Sequence, residues 1–226
     1  MTGGPHGRRS ALAATALLTG VLTAPVIAAG AAEAVVVPRS APRTATMTDL
    51  GTLPGGASST AVAINTQGQV VGSSSTPGGA VHAFRWTASA GMQDLGTLAG
   101  MDNSFASEIN VRGEVTGNSY AAAGPQHAFV WTESGGMRDL GTLGGSLSSG
   151  GGISAWGQVV GSADTASGSR HAFLWTASGG MRDLGTLPGG TNSFASAINN
   201  RGQVTGFADT GDGVSHAFLW TPGRVR

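Results

Sequence analysis

The chain has 226 residues, of which 11% are charged, and its formal net charge is zero. All twelve basic residues are arginine, and they are scattered, so there is no basic stripe of the kind that binds nucleic acid. The absence of cysteine excludes disulfides and thiolate zinc sites.

The first 34 residues have the composition of an export signal. Arg8-Arg9 precedes an apolar run from Ala11 to Ala29, and Ala32-Glu33-Ala34 fits the small-residue pattern that signal peptidase reads. We predict a signal peptide over residues 1–34 and a flexible leader over residues 35–46. The mature protein is then expected to be secreted or at the cell surface, with no stable membrane insertion after cleavage.

Three alternatives remain open at this terminus. Cleavage after Ala29-Gly30-Ala31 is a second candidate, and the Arg8-Arg9 pair fits either a Sec or a twin-arginine signal. The apolar run is also nearly long enough for an uncleaved membrane anchor. Pro25 within it and the small residues after it favour cleavage.

A repeat dominates the rest of the chain. The phrase Met-x-Asp-Leu-Gly-Thr-Leu starts at Met47, Met92, Met137 and Met181, which gives periods of 45, 45 and 44 residues. Such a period indicates supersecondary units that depend on their neighbours for a core. We therefore predict a four-repeat β domain over residues 47–226, and we divide it into 47–91, 92–136, 137–180 and 181–223.

Each repeat is predicted to be a four-stranded antiparallel meander. In His82-Ala83-Phe84-Arg85-Trp86 the bulky rings alternate with smaller residues, as in a strand. A Gly-Ser turn, a strand such as Met181–Leu187, and a strand ending in Ala-Ile-Asn follow. An Asn-x-x-Gly type I turn with a left-handed Gly leads to the last strand, which ends at Val-x-Gly. Loops of about nine residues then return to the His: Ser73–Val81, Asn118–Gln126, Ser162–Arg170 and Phe207–Ser215.

We predict that these meanders assemble into a small four-bladed β-propeller. The period matches the length of a propeller blade, and four blades is the lower limit of that architecture. Aromatic rings that recur in every repeat would pack between neighbouring sheets: Trp86, Trp131, Trp175 and Trp220. The alternatives are an open β-solenoid and a half-propeller completed by a second chain.

The recurring phrases resemble the HAF repeat. His-Ala-Phe-x-Trp, Gly-Met-x-Asp-Leu-Gly-Thr-Leu and Ala-Ile-Asn-x-x-Gly-Gln-Val-x-Gly recur in the same order from Met47 to about Gly223. The resemblance implies an extracellular bacterial repeat protein, and it supplies neither an activity nor a catalytic residue.

The third repeat departs from the pattern. Gly150-Gly151-Gly152 replaces the usual strand residues before Ile153-Ser154, and three glycines in a row weaken a strand. We expect an irregular unit here. Trp156 takes a turn position that we align with Gln67, Arg112 and Asn200, and an exposed Trp there is the most individual feature of the chain.

A histidine and an aspartate recur in every repeat. A functional interpretation makes them a metal or ligand site around a central axis, whereas a structural interpretation makes each pair a buried hydrogen bond. We favour structure, because one ligand rarely needs the same groups in every unit. The residues are His82, His127, His171 and His216, with Asp49, Asp94, Asp139 and Asp183.

Other candidate sites are weak. Asp209 and Asp212 lie in an acidic loop, but two carboxylates fall short of the oxygen ligands that calcium needs, so a solvated loop is favoured. No catalytic motif is present, neither Gly-x-Ser-x-Gly nor His-Glu-x-x-His. We predict no cofactor, no metal and no catalytic residue.

These observations predict a secreted, non-enzymatic repeat module that binds or scaffolds outside the cell, with contacts through the variable loops. Its partner is an unknown glycan or protein, Trp156 or Tyr120 is a candidate stacking platform, and Asp209 and Asp212 are further candidate ligand-binding residues. A homo-oligomer, a structural role in an envelope or spore layer, and a secreted polysaccharide hydrolase remain alternatives.

Overall fold

The computed structural model describes residues 45–223, and the predicted signal peptide, with nearly all of the predicted leader, lies outside that range. The described residues form 15 strands and no helix, so the fold is all-β. They therefore include no helix that is long and apolar enough to cross a membrane. The compact unit that holds the strands begins at Met47.

The strands form four successive antiparallel groups. Sheet 1 contains β1 (Ser59–Ile64), β2 (Val70–Ser75), β3 (Val81–Thr87) and β4 (Gly91–Asp94). Sheet 2 contains β5 (Asn103–Ile109), β6 (Val115–Tyr120), β7 (Gln126–Thr132) and β8 (Gly136–Asp139). Sheet 3 contains β9 (Gly144–Ile153), β10 (Val159–Thr165), β11 (Arg170–Thr176) and β12 (Gly180–Asp183), and sheet 4 contains β13 (Ser193–Ile198), β14 (Val204–Asp209) and β15 (Ser215–Trp220).

The sheets are offset from the sequence repeats. Each Gly-Met-x-Asp phrase forms the last strand of the preceding sheet, so β4 pairs with β3 although Met92 opens the second repeat. The prediction of four equal meanders is wrong in one respect, because sheet 4 has three strands. The first copy of the phrase, from Met47 to Leu50, is not a strand. It has no sheet before it within residues 45–223 to which it could add.

The alternation in the His-Ala-Phe-x-Trp strands gives every sheet two different faces. We call the side that carries Phe84 and Trp86 the Phe face, and the side that carries Ala83 the Ala face. The Ala face of each sheet packs on the Phe face of the next, as where Ala83 and Val71 meet Phe129. The same contact joins sheets 2 and 3 and sheets 3 and 4. Burial of these rings supplies the main cohesion of the array.

A buried serine ties each pair of neighbouring sheets. The Ala83 amide donates to Ser104 Oγ at 2.8 Å, and that hydroxyl donates to the Gly96 carbonyl at 2.6 Å. Because Ala83 is fully buried, its amide would otherwise lack a partner. The equivalent serines are Ser148 and Ser193.

The glycine-rich segment of the third repeat forms a strand, and its pairing with β10 is irregular as expected, with register shifts between Gly152 and Gly150 and between Ser148 and Gly144. β9 is the longest strand, with 10 residues, and its second half is largely buried. A Cβ on Gly150 would collide with Thr116 Oγ1 of sheet 2, and one on Gly151 would lie 2.9 Å from the Ala195 carbonyl of sheet 4. The glycines therefore allow β9 to fit closely between both neighbours.

The described array is open. No described residue pairs with the outer edge of β15, and the Phe face of sheet 1 has no neighbouring sheet within residues 45–223. The predicted closed ring of four blades is thus not formed by these residues. One parallel pair, Gln126 with Leu147, instead continues the hydrogen bonding from β7 to β9.

Candidate functional site

The antiparallel order places two kinds of connection at opposite ends of the sheets. At the end that we call the turn end, the Asn-x-x-Gly turns, with Ser154 in place of Asn in the third, join the first two strands of each sheet: 65–68, 110–113, 154–157 and 199–202. At the end that we call the loop end, short loops join the second and third strands: 76–80, 121–125, 166–169 and 210–214. Strands extend into the loops that we predicted as nine residues long, so the true connections have four or five.

The Asn-x-x-Gly turns form a continuous row. Within the first turn, the Gly68 amide donates to the Asn65 carbonyl at 3.0 Å, and Gly68 has a φ of 75°, as expected of the left-handed glycine in a bulge that follows a type I turn. Asn65 Nδ2 then donates to the Asn110 carbonyl at 3.0 Å, and Asn110 Nδ2 donates to the Ser154 carbonyl at 2.9 Å. Side chains of neighbouring turns are thereby brought side by side.

Trp156 projects from this row. Its side chain is exposed (68% for the residue), yet its indole Nε1 donates to the Asn200 carbonyl at 3.3 Å. Asn200 Oδ1 also accepts from the Ala155 amide at 3.0 Å. The turn register corrects our alignment, because Arg201, and not Asn200, is the fourth counterpart of Trp156. The ring is thus exposed and held in one orientation.

Open grooves flank the Trp156 ring. One has a volume of about 580 Å³ and is lined by Gln158, Asn200, Arg201 and Pro222. The other has a volume of about 300 Å³ and includes Arg112 and Glu114 beside the ring of Trp175. Polar donors at the rim and an aromatic side chain between the grooves are features that small-molecule binding sites share.

The charge around Trp156 is mainly positive. Arg112 Nη2 pairs with Glu114 Oε2 at 2.7 Å, whereas the described residues give Arg201 no carboxylate partner. Arg138 also lines the second groove, and its guanidinium lies 5.0 Å from the centroid of the Trp175 ring. Sequence reasoning missed these arginines, although Arg112 and Arg201 occupy the same turn position as Trp156 in their own repeats.

The other predicted ligand-binding residues lie at the loop end. Tyr120 is half-buried and stacks on Phe105, with centroids 5.8 Å apart and planes at 6°. One face of its ring is therefore occupied by Phe105. Because Tyr120, Asp209 and Asp212 border the short loops, the structure separates all three from Trp156.

The acidic loop is occupied by its own hydrogen bonds. Asp209 accepts from the Asn192 amide and side chain and from Thr191, and the Asn192 side chain is the main cause that lowers the pKa of Asp209. Asp212 accepts from Thr210, which likewise lowers its pKa. No group of three or more metal-ligating side chains occurs among residues 45–223.

Three histidine–aspartate pairs form within single sheets. The distances from Nδ1 to Oδ2 are 2.9, 2.7 and 2.8 Å for His82–Asp94, His127–Asp139 and His171–Asp183. These side chains are half-exposed, whereas we predicted buried pairs, and each pair joins the third strand of its sheet to the fourth. His216 and Asp49 belong to opposite ends of the array, and no bond joins them.

Comparison with known proteins adds distant structural likenesses. No family model matches the chain, and a search of curated proteins gives no match. TolB from Acinetobacter baumannii is similar over 70% of this chain and 42% of its own, with 13% identity and a TM-score of 0.44. AofleA from Arthrobotrys oligospora is similar over 76% and 55%, with 11% identity and a TM-score of 0.41. A gluconolactonase from Xanthomonas campestris is similar over 71% and 61%, with 14% identity and a TM-score of 0.38. The chain thus spans less than two thirds of each structure, and its architecture is defined by its own sheets.

Proposed function

We propose that this protein is a non-enzymatic binding module that acts outside the cell and belongs with the HAF-repeat proteins. Its four sheets serve as successive propeller-like blades, and its ligand contacts are made at the turn end around Trp156. The observation that carries the proposal is this exposed indole, held by Asn200 between two grooves. The N-terminal sequence supports export.

The ligand class that fits this surface is an acidic polysaccharide. An exposed, oriented indole stacks on the apolar face of a sugar ring, and it does so at low entropic cost because its rotamer is already fixed. Arg201 and Arg112 lie on either side, and guanidinium groups pair with carboxylates through two parallel hydrogen bonds. A neutral sugar would use the stacking surface but not the arginines.

The site supports binding better than hydrolysis. A glycosidase of the usual kind places two carboxylates across the scissile bond. Glu114 is the one carboxylate among the described residues that line the two grooves, and it is paired with Arg112. A polysaccharide held here therefore meets a platform and positive charge rather than an acid and base pair.

Titration with polygalacturonate and with its methyl ester tests the proposal, because the two polymers differ in charge and share a backbone. We expect the protein to bind the acid form, Trp156→Ala to weaken binding about tenfold or more, and Trp156→Phe to retain part of it. Arg201→Gln should weaken binding of the acid form alone. Val214→Ala at the loop end is the matched control and should bind like the parent. Equal binding by Trp156→Ala and the parent would rule out this surface.

A further inference from the structure

The contact between neighbouring sheets is built three times from the same parts. In each copy, the alanine of the His-Ala-Phe phrase donates its amide to a serine of the next sheet at 2.8 Å. The carbonyl of the same alanine accepts from the first leucine of the Asp-Leu-Gly-Thr-Leu phrase, as from Leu95 to Ala83 at 3.0 Å. One sheet therefore presents an alanine, and the next presents a serine and a leucine.

The free face of sheet 1 holds the serine and leucine half of this contact. Ser59 Oγ donates to the Gly51 carbonyl at 2.6 Å, the same bond that Ser104 makes to Gly96. The Gly51 amide donates to Asp49 Oδ1 at 2.9 Å, as in the corresponding turns at Asp94, Asp139 and Asp183. Ser59 thus keeps a lone pair free for one further donor, and its surroundings are already arranged as in the internal contacts.

The free face of sheet 4 holds the alanine half. Ala217 and Leu219 lie on the Ala face of β15, where their counterparts Ala172 and Leu174 are buried against sheet 4. Leu219 is 68% exposed, whereas Leu174 is 9% exposed. Phe207, which is 46% exposed, and Phe194 extend the same face, with stacked rings 4.8 Å apart.

We propose that a second copy of this chain covers the Ala face of sheet 4 with the Phe face of its own sheet 1. Its Ser59 hydroxyl accepts from Ala217, and its Leu50 amide donates to the Ala217 carbonyl. Its Met47–Asp49 segment adds the missing fourth strand to β15, in the register that β12 adopts on β11. That register places its Asp49 beside His216, which completes a fourth histidine–aspartate pair.

The occupant is a second copy because the two free faces are complementary to each other. The three internal contacts fix the step from one sheet to the next, and after three such steps no strand of sheet 4 pairs with a strand of sheet 1. A sheet that packs on the Ala face of β15 must present a Phe face, and sheet 1 has a free one. On that face Ile64 takes the position that the buried Ile109 takes in sheet 2. Ile64 is 67% exposed and Ile109 is 4% exposed, so the part of this face around Ile64 is apolar and uncovered, whereas Phe84 is already buried within the single chain.

Such an association is head-to-tail, so blocking either face should stop it and two differently blocked copies should combine. The test uses protein produced from the full-length sequence, with its mass measured by light scattering across a concentration series. Leu219→Asp blocks the Ala face and Ile64→Asp blocks the Phe face. Both sites are exposed in the single chain, so both variants should keep the parent near-ultraviolet circular dichroism. Val111→Asp is the matched control, since Val111 is an exposed apolar residue outside both faces.

We expect the parent and Val111→Asp to associate with rising concentration. Each blocking variant should associate at least about tenfold more weakly than the parent. An equimolar mixture of the two blocking variants should form a species of two chains, because each retains one intact face. A parent that stays a single chain overturns the proposal. So does a blocking variant that associates like the parent, or a mixture that fails to combine.

Discussion

The guanidinium of Arg85 in sheet 1 lies over the indole of Trp131 in sheet 2, 4.7 Å from the centroid of its ring. The next two contacts also place an arginine on a tryptophan, Arg138 on Trp175 at 5.0 Å and Arg182 on Trp220 at 5.5 Å. Those two arginines come from the last strand of their sheets, whereas Arg85 comes from β3. Different strands therefore deliver the same interaction.

Moving the arginine of sheet 1 from β3 to β4 should preserve the stability of the protein. Arg85 pairs across the strands with Gln93, in the position where sheet 2 has Val130 and Arg138. We expect Arg85→Val to cost about 1–2 kcal/mol of unfolding free energy through loss of the cation–π contact and the pairing with Glu133. Adding Gln93→Arg should recover most of it. Urea unfolding of the double-mutant cycle measures this, and a double variant no better than Arg85→Val would contradict the exchange.

Removing a ring from a contact between sheets should be costly. Phe173 is fully buried and Trp131 nearly so, and we expect Phe173→Ala or Trp131→Ala to lower the unfolding free energy by about 3–5 kcal/mol through lost burial and the cavity left behind. Trp156→Ala is the control. Its ring is exposed, so it should change stability by about 0.5 kcal/mol or less. Similar melting of all three variants would show that the rings do not hold the sheets.

The serine between sheets should matter only where both of its partners are present. Ser104→Ala leaves the buried Ala83 amide without an acceptor, and we expect a loss of about 1–3 kcal/mol. Ser59→Ala removes the same side chain at a position where no described alanine amide donates to it, so a single chain should lose less. Thermal unfolding at low concentration compares the two, and equal losses would show that the bridge from Ala83 contributes nothing.

The cost of replacing a glycine by alanine should depend on how closely neighbouring atoms approach it. Gly150→Ala forces a Cβ against Thr116 Oγ1 and to 2.9 Å from the Gly117 carbonyl, and we expect it to cost about 1–3 kcal/mol. Gly78→Ala meets nothing within 4 Å and should be neutral or slightly stabilising. Denaturant midpoints check the pair. A tolerated alanine at position 150 would mean that sheets 2 and 3 move apart easily.

Local pattern was enough to predict the strands and their two faces. The spacing of Phe84 and Trp86 by two residues placed both rings on one side, where the corresponding rings of sheets 2 to 4 pack on their neighbours. The Asn-x-x-Gly phrase likewise predicted the turn at Gly68. Both features depend on residues close in sequence, which is why no knowledge of neighbouring sheets was needed.

Features that depend on contacts between sheets were missed. Three glycines suggested a weak strand, but Gly150 is required by the close approach of Thr116 from another sheet. The contact between Tyr120 and Phe105 was missed because the two residues lie 15 apart in the sequence. They become diagonal neighbours only through the pairing of β5 with β6, which cannot be read from the sequence. Trp156 was found because it breaks the repeat. Its flanking arginines were not, since they come from neighbouring turns.

Acidification should destabilise sheet 4 by protonating Asp209. Hydrogen bonds from Asn192 and Thr191 lower the pKa of Asp209 below its ordinary value of 3.8, so the ionised carboxylate is favoured in the folded protein. The stability that the ionised Asp209 contributes is complete above the ordinary pKa and is lost as the pH falls through the lowered pKa. Because Asn192 Oδ1 also accepts from the Arg170 amide of sheet 3 at 3.0 Å, the loss should also weaken the contact between the two sheets.

Melting temperatures at about pH 6 and about pH 3 check this linkage. The parent should lose more stability between these values than Asp209→Asn, whose amide does not titrate. Asn192→Ala keeps the carboxylate but removes the hydrogen bond that contributes most to the lowered pKa, so its acid sensitivity should also fall below that of the parent. If all three proteins lose stability in parallel on acidification, the carboxylates responsible lie elsewhere and the Asp209 network does not tie sheet 4 to sheet 3.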